Sequence, residues 1–420
     1  MPTDSEPLRH ALVEELCRRG VVRTPAVRDA FLRVPRERFV PEIAEERGLE
    51  AVYKDEPLVT KMDQWVAVSS SSQPAIMAEM LERLQLAPAL RVLEIGAGTG
   101  YNAALLADLA GAVTTLDVDA ELAEKARGRL VEGGHAAEVV VGDGMRGWPA
   151  RAPYDRIVVT ATPPHIPAAW RDQLREGGLL EVPMLFGHGQ AVAALVVTFR
   201  RRGDELVSTA IVSGGFMGFR GPDGSRPDYQ QPLLGWYDRT GRHHVAGSVY
   251  GPGVARLRPA ARRRLLAALV AGPRRTGLGR GADAELLLHT ACAAPAHRLV
   301  GVMGEGNLRL GLADREGGLA VLHYRWAKVE RIGVMGAEVY GDPGAAERDL
   351  KDLVAQWAAR GRPALADFEV RVAFGRPVRG ATWRVPSGGE ARIGVSVRPP
   401  SSPPPVPPAR GGTGGRLTGP

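Results

Sequence analysis

Apolar positions in the first 35 residues recur at helical spacing. Leu8, Leu12, Val13 and Leu16 make one stripe, and Val27 with Phe31 makes another behind the cap-then-proline pair Thr24-Pro25. Two short amphipathic helices are predicted here. Residues 41–68 hold no sustained period and read as loop-rich. A third helix is predicted from Pro74, because Ile76, Met77, Met80, Leu81 and Leu84 fall on one face. From Leu90 short apolar runs alternate with helical stripes. "LRVLEIGAGTG", "AVTTLDVD", "AAEVVVGDG", "YDRIVVTATPP" and "LLEVPML" read as strands, and "AELAEKARGRLVEGG" and "IPAAWRDQLREGG" as helices stopped by glycine. That alternation predicts an α/β fold with a parallel sheet covered on both faces. "QAVAALVVTFRRRGDELVSTAIVSG" adds two strands around the turn Arg202-Gly203-Asp204, expected as an antiparallel pair at the sheet edge.

The rhythm stops after Gly215. A chain of 420 residues exceeds one ordinary core, so two domains are expected. Residues 1–215 form the first and 216–245, punctuated by Gly and Pro, a linker. Residues 246–397 mix helices such as "AAERDLKDLVAQWAARG" with strands such as "DFEVRVAF" and read as a C-terminal α+β domain. Residues 398–420 are Pro- then Gly-rich and are expected to be a disordered tail.

Composition narrows the class. A 44% hydrophobic and 24% charged chain is that of a soluble globular protein. No apolar run approaches the ~20 residues a bilayer span needs, so no membrane partner is expected. The start "MPTDSEPLRH" lacks a basic-then-apolar signal, which makes a cytoplasmic location the expectation. Cys17 and Cys292 are too few and too distant for a disulfide framework or a metal site, and no metal is expected. The net charge of +7 comes with an Arg, Ala, Gly and Pro bias typical of GC-rich coding sequence. The run "RLRPAARRRLLAAL" reads as a helix with a solvated basic face. No nucleic-acid module accompanies it, so nucleic acid is not expected as a partner.

Two stretches carry chemistry. In "VSSSSQPAIMAEML" four serines, Ser69 to Ser72, precede a helix that one N-cap would satisfy. Small hydroxyls beside a helix N-terminus suit a polar floor for a carboxylate. In "VLEIGAGTGYNAALLA" Gly96, Gly98 and Gly100 follow Glu94 at a strand end. The spacing is GxGxG and not the GxGxxG of a dinucleotide site. An acid beside a glycine loop fits a ligand with a cationic amino group and sulfonium, S-adenosyl-L-methionine, which has no phosphate to cradle. Asp117, ~20 residues further on at the next strand end, is placed to accept ribose hydroxyls. Asp143 with Gly144 in "VGDG" ends the third strand near an adenine edge. All three acids lie at carboxyl ends of parallel strands, where such sheets bind ligands.

Residues 8–185 resemble the protein-L-isoaspartate O-methyltransferases, through "LVEELCRRGVVRTPAVRDAFLRVPRERFVPE", "SSSSQPAIMAEML", "VLEIGAGTGYNAALLA", "VVGDGMRGWP", "PYDRIVVTATPPHIP" and "QLREGGLLEVPM". "VSGGFMGFRG" and the long extension are similar to the branch of that family found with ribosomally made, modified peptides, including lanthipeptides. The resemblance implies a Rossmann-like, S-adenosylmethionine-dependent methyltransferase sheet with N-terminal helices. It implies cofactor contacts from Glu94, Gly96, Gly98, Gly100, Asp117, Asp143 and Gly144. Ser72 becomes the active-site hydroxyl, with Ser70, Ser71, Gln73, Thr160 and Thr162 around the substrate. The implied substrate is a peptide or protein carrying Asp or isoAsp. The preferred expectation is an Asp of a lanthipeptide-like peptide, whose methyl ester closes to a succinimide (aspartimide). The alternative is general isoaspartyl repair. His165 is expected as a surface residue at a helix start.

Overall fold

A computed structural model describes residues 5–63, 66–188, 191–225, 234–237, 245–277, 284–304, 307–326, 332–385 and 388–398. The N-terminal stripes form α1 (Glu6–Arg18) and α2 (Pro25–Arg33), which bury Leu12, Val13 and Leu16, and Val27, Ala30 and Phe31. Thr24 caps α2 by accepting from Val27 N. The segment expected as loop holds α3 (Pro41–Arg47), α4 (Leu49–Val52) and a hairpin of β1 (Leu58–Asp63) with β2 (Val66–Ser71). The serine run is therefore mostly strand, with Ser71 opposite Leu58, Ser70 opposite Val59 and Ser69 opposite Lys61.

Helix α5 (Pro74–Leu84) follows. Its N-cap is Gln73, with no side-chain cap, so the expected serine cap is absent. The serines are held in extended backbone, and Asp55 Oδ1 instead reaches across to accept from Ala75 N at 2.8 Å.

Then come β3 (Arg91–Ile95), α6 (Tyr101–Leu109), β4 (Ala112–Asp117), α7 (Ala120–Glu132), β5 (Ala137–Val141), β6 (Tyr154–Val159), α8 (Ala168–Gln173), β7 (Leu174–His188), β8 (Ala191–Arg202) and β9 (Glu205–Ser213). Strands β5, β4, β3, β6 and β7 pair in parallel in that order, and β8 and β9 continue antiparallel. Helix α8 is shorter than expected. "LREGG" belongs to β7, where Leu174 pairs with Tyr154 and the register shifts before Arg156.

The extension supplies β10 (Leu234–Tyr237), β11 (Val245–Tyr250), α9 (Pro252–Ala255), α10 (Pro259–Ala271), β12 (Arg274–Thr276), α11 (Ala284–Ala293), β13 (Leu299–Gly304), β14 (Asn307–Ala313), β15 (Leu319–Trp326), β16 (Ile332–Tyr340), α12 (Gly344–Ala359), β17 (Phe368–Phe374), β18 (Trp383–Val385) and β19 (Ala391–Val397). Seven of its strands make a second, antiparallel sheet in the order β10-β11-β13-β14-β15-β16-β12. The last three leave that unit. β17 pairs with β9, and β19 and β18 lie outside it, which extends the first sheet to ten strands.

Two expectations are corrected here. The β8–β9 pair is interior, because the alternating Phe368, Val370 and Val372 bury a further strand against it. Residues 246–397 are also not one segregated domain. A single apolar cluster joins Leu195, Val197, Phe199 and Leu206 of the first sheet to Leu286, Leu288, Leu350, Trp357 and the second sheet. A second cluster lies on the opposite side, between α1, α2, α5, α6 and the sheet. The expected linker is partly described: Phe219 is 7% exposed and packed in the core, while 226–233 and 238–244 lie outside the described residues, as does the expected tail from 399 onward.

Candidate active site

A cleft of about 930 Å³ opens where the carboxyl ends of β3 and β4 meet the end of β2 and the N-terminus of α5. Its wall joins Ser69 to Gln73, Glu94, Gly96, Gly98, Asp117, Gly144 and Thr160. The structure thus brings the glycine-acid loop and the serine run, 22 residues apart from Ser72 to Glu94, to one cavity. Gly100, Asp143 and Thr162 do not line it.

Glu94 is fully buried on β3. Thr115, its register partner on β4, donates to Oε2 at 2.6 Å, and Asn102 Nδ2 donates to Oε1 at 2.7 Å. Burial pushes its pKa up to about 7, against the lowering effect of those two donors. Asp117 ends β4, with Gly98 N donating to one oxygen at 2.9 Å and Asp119 N to the other at 3.0 Å. Burial raises its pKa too. Both acids are strained toward protonation and would be relieved by a cation.

Gly96 has φ +106°, and a methyl there would overlap Thr160 Oγ1, which bonds Gly96 O at 2.8 Å. Gly144 faces Phe219 and Ile95. An added Cβ would sit 2.5 and 2.6 Å from their side chains.

The residues off the wall have structural work. Gly100 is the N-cap of α6 and packs against Ala126. Asp143 accepts from Met145 N at 2.9 Å and shapes the turn that presents Gly144. Thr162 is 2% exposed. It receives Phe219 N on its carbonyl at 2.8 Å, gives its own N–H to Met217 O at 2.7 Å, and gives its hydroxyl to Phe216 O at 2.9 Å. It therefore pins residues 216–219 along the cleft. His165 is half-buried and packs against the turn at Gly388 and Gly389, so it is not a free surface residue.

Several contributors were missed from sequence. Arg220, at the end of the pinned segment, and Lys61 of β1 both bond Asp119 Oδ2, at 3.2 and 2.8 Å. Burial alone would raise the Asp119 pKa, but these two cations and Leu122 N hold it at about 2. The hairpin and the 216–220 segment are thereby tied to one acid beside Asp117. Asp55 binds Arg19 at 2.8 Å and Gln73 Nε2 at 3.1 Å, fixing Gln73 away from the role of a free donor. Arg36 is buried behind Ser71 and Ser72. The one signal for it in the sequence was an arginine set among apolar residues in "VPRERFVPE". Among the described residues no His, Cys, Asp and Glu group could hold a metal ion, and no helix is long and apolar enough to cross a membrane.

The wall fits S-adenosylmethionine. It offers two buried carboxylates for positive charge and hydroxyls, and bare backbone at Gly96, Gly98 and Gly144 where a Cβ would intrude or strain. Fold and cleft define a Rossmann-like, S-adenosylmethionine-dependent methyltransferase with an additional C-terminal unit. Residues 7–215 match the family model for protein-L-isoaspartate(D-aspartate) O-methyltransferase (PCMT). A protein-L-isoaspartate O-methyltransferase of Hyperthermus butylicus is 44% identical over 188 residues, which is 42% of this chain and 74% of the relative. Protein-L-isoaspartate O-methyltransferase 1 of Rhodopseudomonas palustris is 42% identical over 214 residues, 51% of this chain and 82% of the relative. A solved protein-L-isoaspartate O-methyltransferase is similar in fold, with TM-score 0.50 at 23% identity, covering 93% of this chain and 99% of its own. The chain belongs to the protein-L-isoaspartate O-methyltransferase family, and S-adenosyl-L-methionine is the family's methyl donor.

Proposed function

We propose that this chain methylates the free carboxylate of isoaspartyl residues in polypeptides of unrelated sequence, as a repair activity. One observation carries the reading: the cofactor-facing acids and the serine strand line the same cavity, within the span matched by the family. The expectation of a lanthipeptide-type substrate rested mainly on the extension. Fold likeness to a protein-L-isoaspartate O-methyltransferase covers 93% of the chain, so an extension does not by itself mark a peptide-modifying branch.

The cofactor supplies a methyl on a sulfonium. Glu94, Asp117, Gly96, Gly98 and Gly144 would hold it, while Asp143 and Gly100 shape the loops behind. The substrate carboxylate is ionised at neutral pH, with an ordinary pKa of ~4, and needs no general base. Ser72 orients one carboxylate oxygen by hydrogen bonding. Ser70, Ser71 and Thr160 shape the pocket, and Gln73 and Thr162 fix its two sides. Neutral hydroxyls strip water from the anion without over-stabilising it, which keeps binding energy for the transition state. When bound, the cofactor would give its methyl to one carboxylate oxygen and leave as the thioether, and the product would be a neutral ester. The next backbone nitrogen then displaces methanol to close a succinimide, and water opens that ring to aspartyl or isoaspartyl linkages.

Labelled S-adenosylmethionine with unrelated linear isoAsp peptides tests this. Alkali-labile label on all of them, and little on the matched Asp peptides, is expected, with transfer falling at least about ten-fold in Ser72→Ala. Label confined to a normal Asp in one cyclised peptide would instead establish the peptide-modifying reading.

A further inference from the structure

Arg36 follows α2 in "VPRERF" and is 0% exposed. Nε donates to Ser71 Oγ at 3.3 Å. Nη1 donates to the carbonyls of Val52 at 2.8 Å and Lys54 at 3.2 Å, and Nη2 to those of Glu56 at 3.1 Å, Ser71 at 3.4 Å and Ser72 at 3.0 Å. Among the described residues no carboxylate forms an ion pair with it. Burying a cation whose hydrogen-bond partners are neutral carbonyl and hydroxyl oxygens is costly, and a staple between two backbone segments could be made with neutral groups. The charge calls for a reason of its own.

The cleft's other cations are committed. Arg19 is paired with Asp55, Arg83 with Glu79 and Arg220 with Asp119. Beyond those pairs the wall also carries Glu56, Glu94 and Asp117. Among the described wall residues an incoming carboxylate therefore finds no uncommitted side-chain cation, and positive charge behind the serine strand would supply the attraction. Arg36 stands there, and every one of its nitrogens already donates to protein oxygens.

We propose that Arg36 is a positioning residue that makes the serine pocket selective for an anion: it aligns Ser71 and Ser72 and attracts the substrate carboxylate from behind them without contacting it. This rests on the isoaspartyl reading above. It also accounts for how the site draws in an anion and yet avoids a bidentate clamp that would hold the ground state too firmly.

The test compares a short isoAsp peptide with its neutral isoasparagine counterpart, both measured as ligands in the presence of S-adenosylhomocysteine. Wild type and Arg36→Lys should bind the acid better than the amide. Arg36→Met should lose that preference by about ten-fold, read as a rise in Kd for the acid, with S-adenosylmethionine affinity within about two-fold of wild type. Equal loss for acid and amide, or a preference left intact, would assign Arg36 a structural role only and overturn the proposal. Should Arg36→Met fail to fold, Arg36→Lys decides alone: it forfeits most of the hydrogen bonds and keeps the charge. A retained acid preference then supports the proposal and a lost one defeats it. Wild type that methylates no isoAsp peptide would overturn the functional reading itself, a result separable from any Arg36 outcome.

Discussion

Replacing Glu94 by Gln tests the electrostatics of the cofactor half of the cleft. The Glu94 carboxyl is fully buried, and burial lifts its pKa from an ordinary 4.5 to about 7. That interval corresponds to about 3 kcal/mol of native-state preference for the protonated form. Because the folded pKa is raised, this contribution is fully present below about pH 4.5. It is lost as pH rises through about 7, where the native state must hold a buried anion. Glu94→Gln is neutral at every pH. The cofactor-free variant should therefore match wild type near pH 4.5 and exceed it by up to about 3 kcal/mol at pH 8, measured by urea unfolding at both pH values. The reverse is expected of ligand binding. Titrating S-adenosylmethionine into wild type at pH 6.5 should release a fraction of a proton from Glu94, seen as a buffer-dependent calorimetric heat. The variant should release less and bind at least about ten-fold more weakly. Buried Glu181, pushed up to about 8, contributes to both proteins alike and cancels in the difference. Parallel pH–stability curves for wild type and Glu94→Gln, with equal proton release, would refute the reasoning.

Gly144→Ala should destabilise by about 1–3 kcal/mol, since its methyl meets Phe219 and Ile95 within 2.6 Å, and Phe219→Leu in the same chain should recover part of the loss in thermal melts. Asp119→Asn keeps the cap of α7 but loses the charge that ties Lys61 and Arg220. Stability within about 1 kcal/mol of wild type and a severalfold weaker, less salt-sensitive S-adenosylhomocysteine affinity are expected by calorimetry, and unchanged affinity at low salt counts against the tie. A chain ending at residue 225 would expose Leu195, Val197, Phe199 and Leu206 and the free edge of β9. Aggregation or loss of a cooperative melt is expected on size exclusion and calorimetry, whereas a monomer melting like the full chain would show the extension to be dispensable for the core.

What could be read in the sequence was local. Strands β3 to β6 announce themselves because each is a short apolar run, the first three ended by glycine or acid and β6 by Thr160 and the proline pair Pro163-Pro164, and Glu94 and Asp117 follow from standing at those ends. The serine hairpin was hidden because four small polar residues have no period, and β1, its partner, carries Lys61 and Thr60 among its apolar positions. The α8 boundary was misplaced because glycines that stop helices also punctuate strands; Gly177, at φ +74°, sits beside a register shift. Strand β17 was legible in the alternation of "DFEVRVAF", but its place beside β9 was not, since Arg371 opposite Val207 is a pairing across more than 160 residues that no local pattern encodes.

The same limit explains why the acids and serines were legible as residues but not as a cavity. The segment from Phe216 to Arg220 reads as the start of a linker, because it is short and glycine-punctuated. Its conformation is set instead from three directions: Thr162 bonds its backbone, Gly144 leaves room for the Phe219 ring, and Asp119 takes the Arg220 guanidinium. Each of these partners lies after a different strand of the parallel sheet, and each is a residue that sequence reasoning assigned to ligand contact or overlooked. Asp143 and Thr162 act at one remove, since one shapes the turn bearing Gly144 and the other seats the segment that covers it. A substitution at either should therefore alter cofactor affinity through the position of Phe219, and a variant that moved the ring without touching an acid would have the same effect as losing a ligand contact.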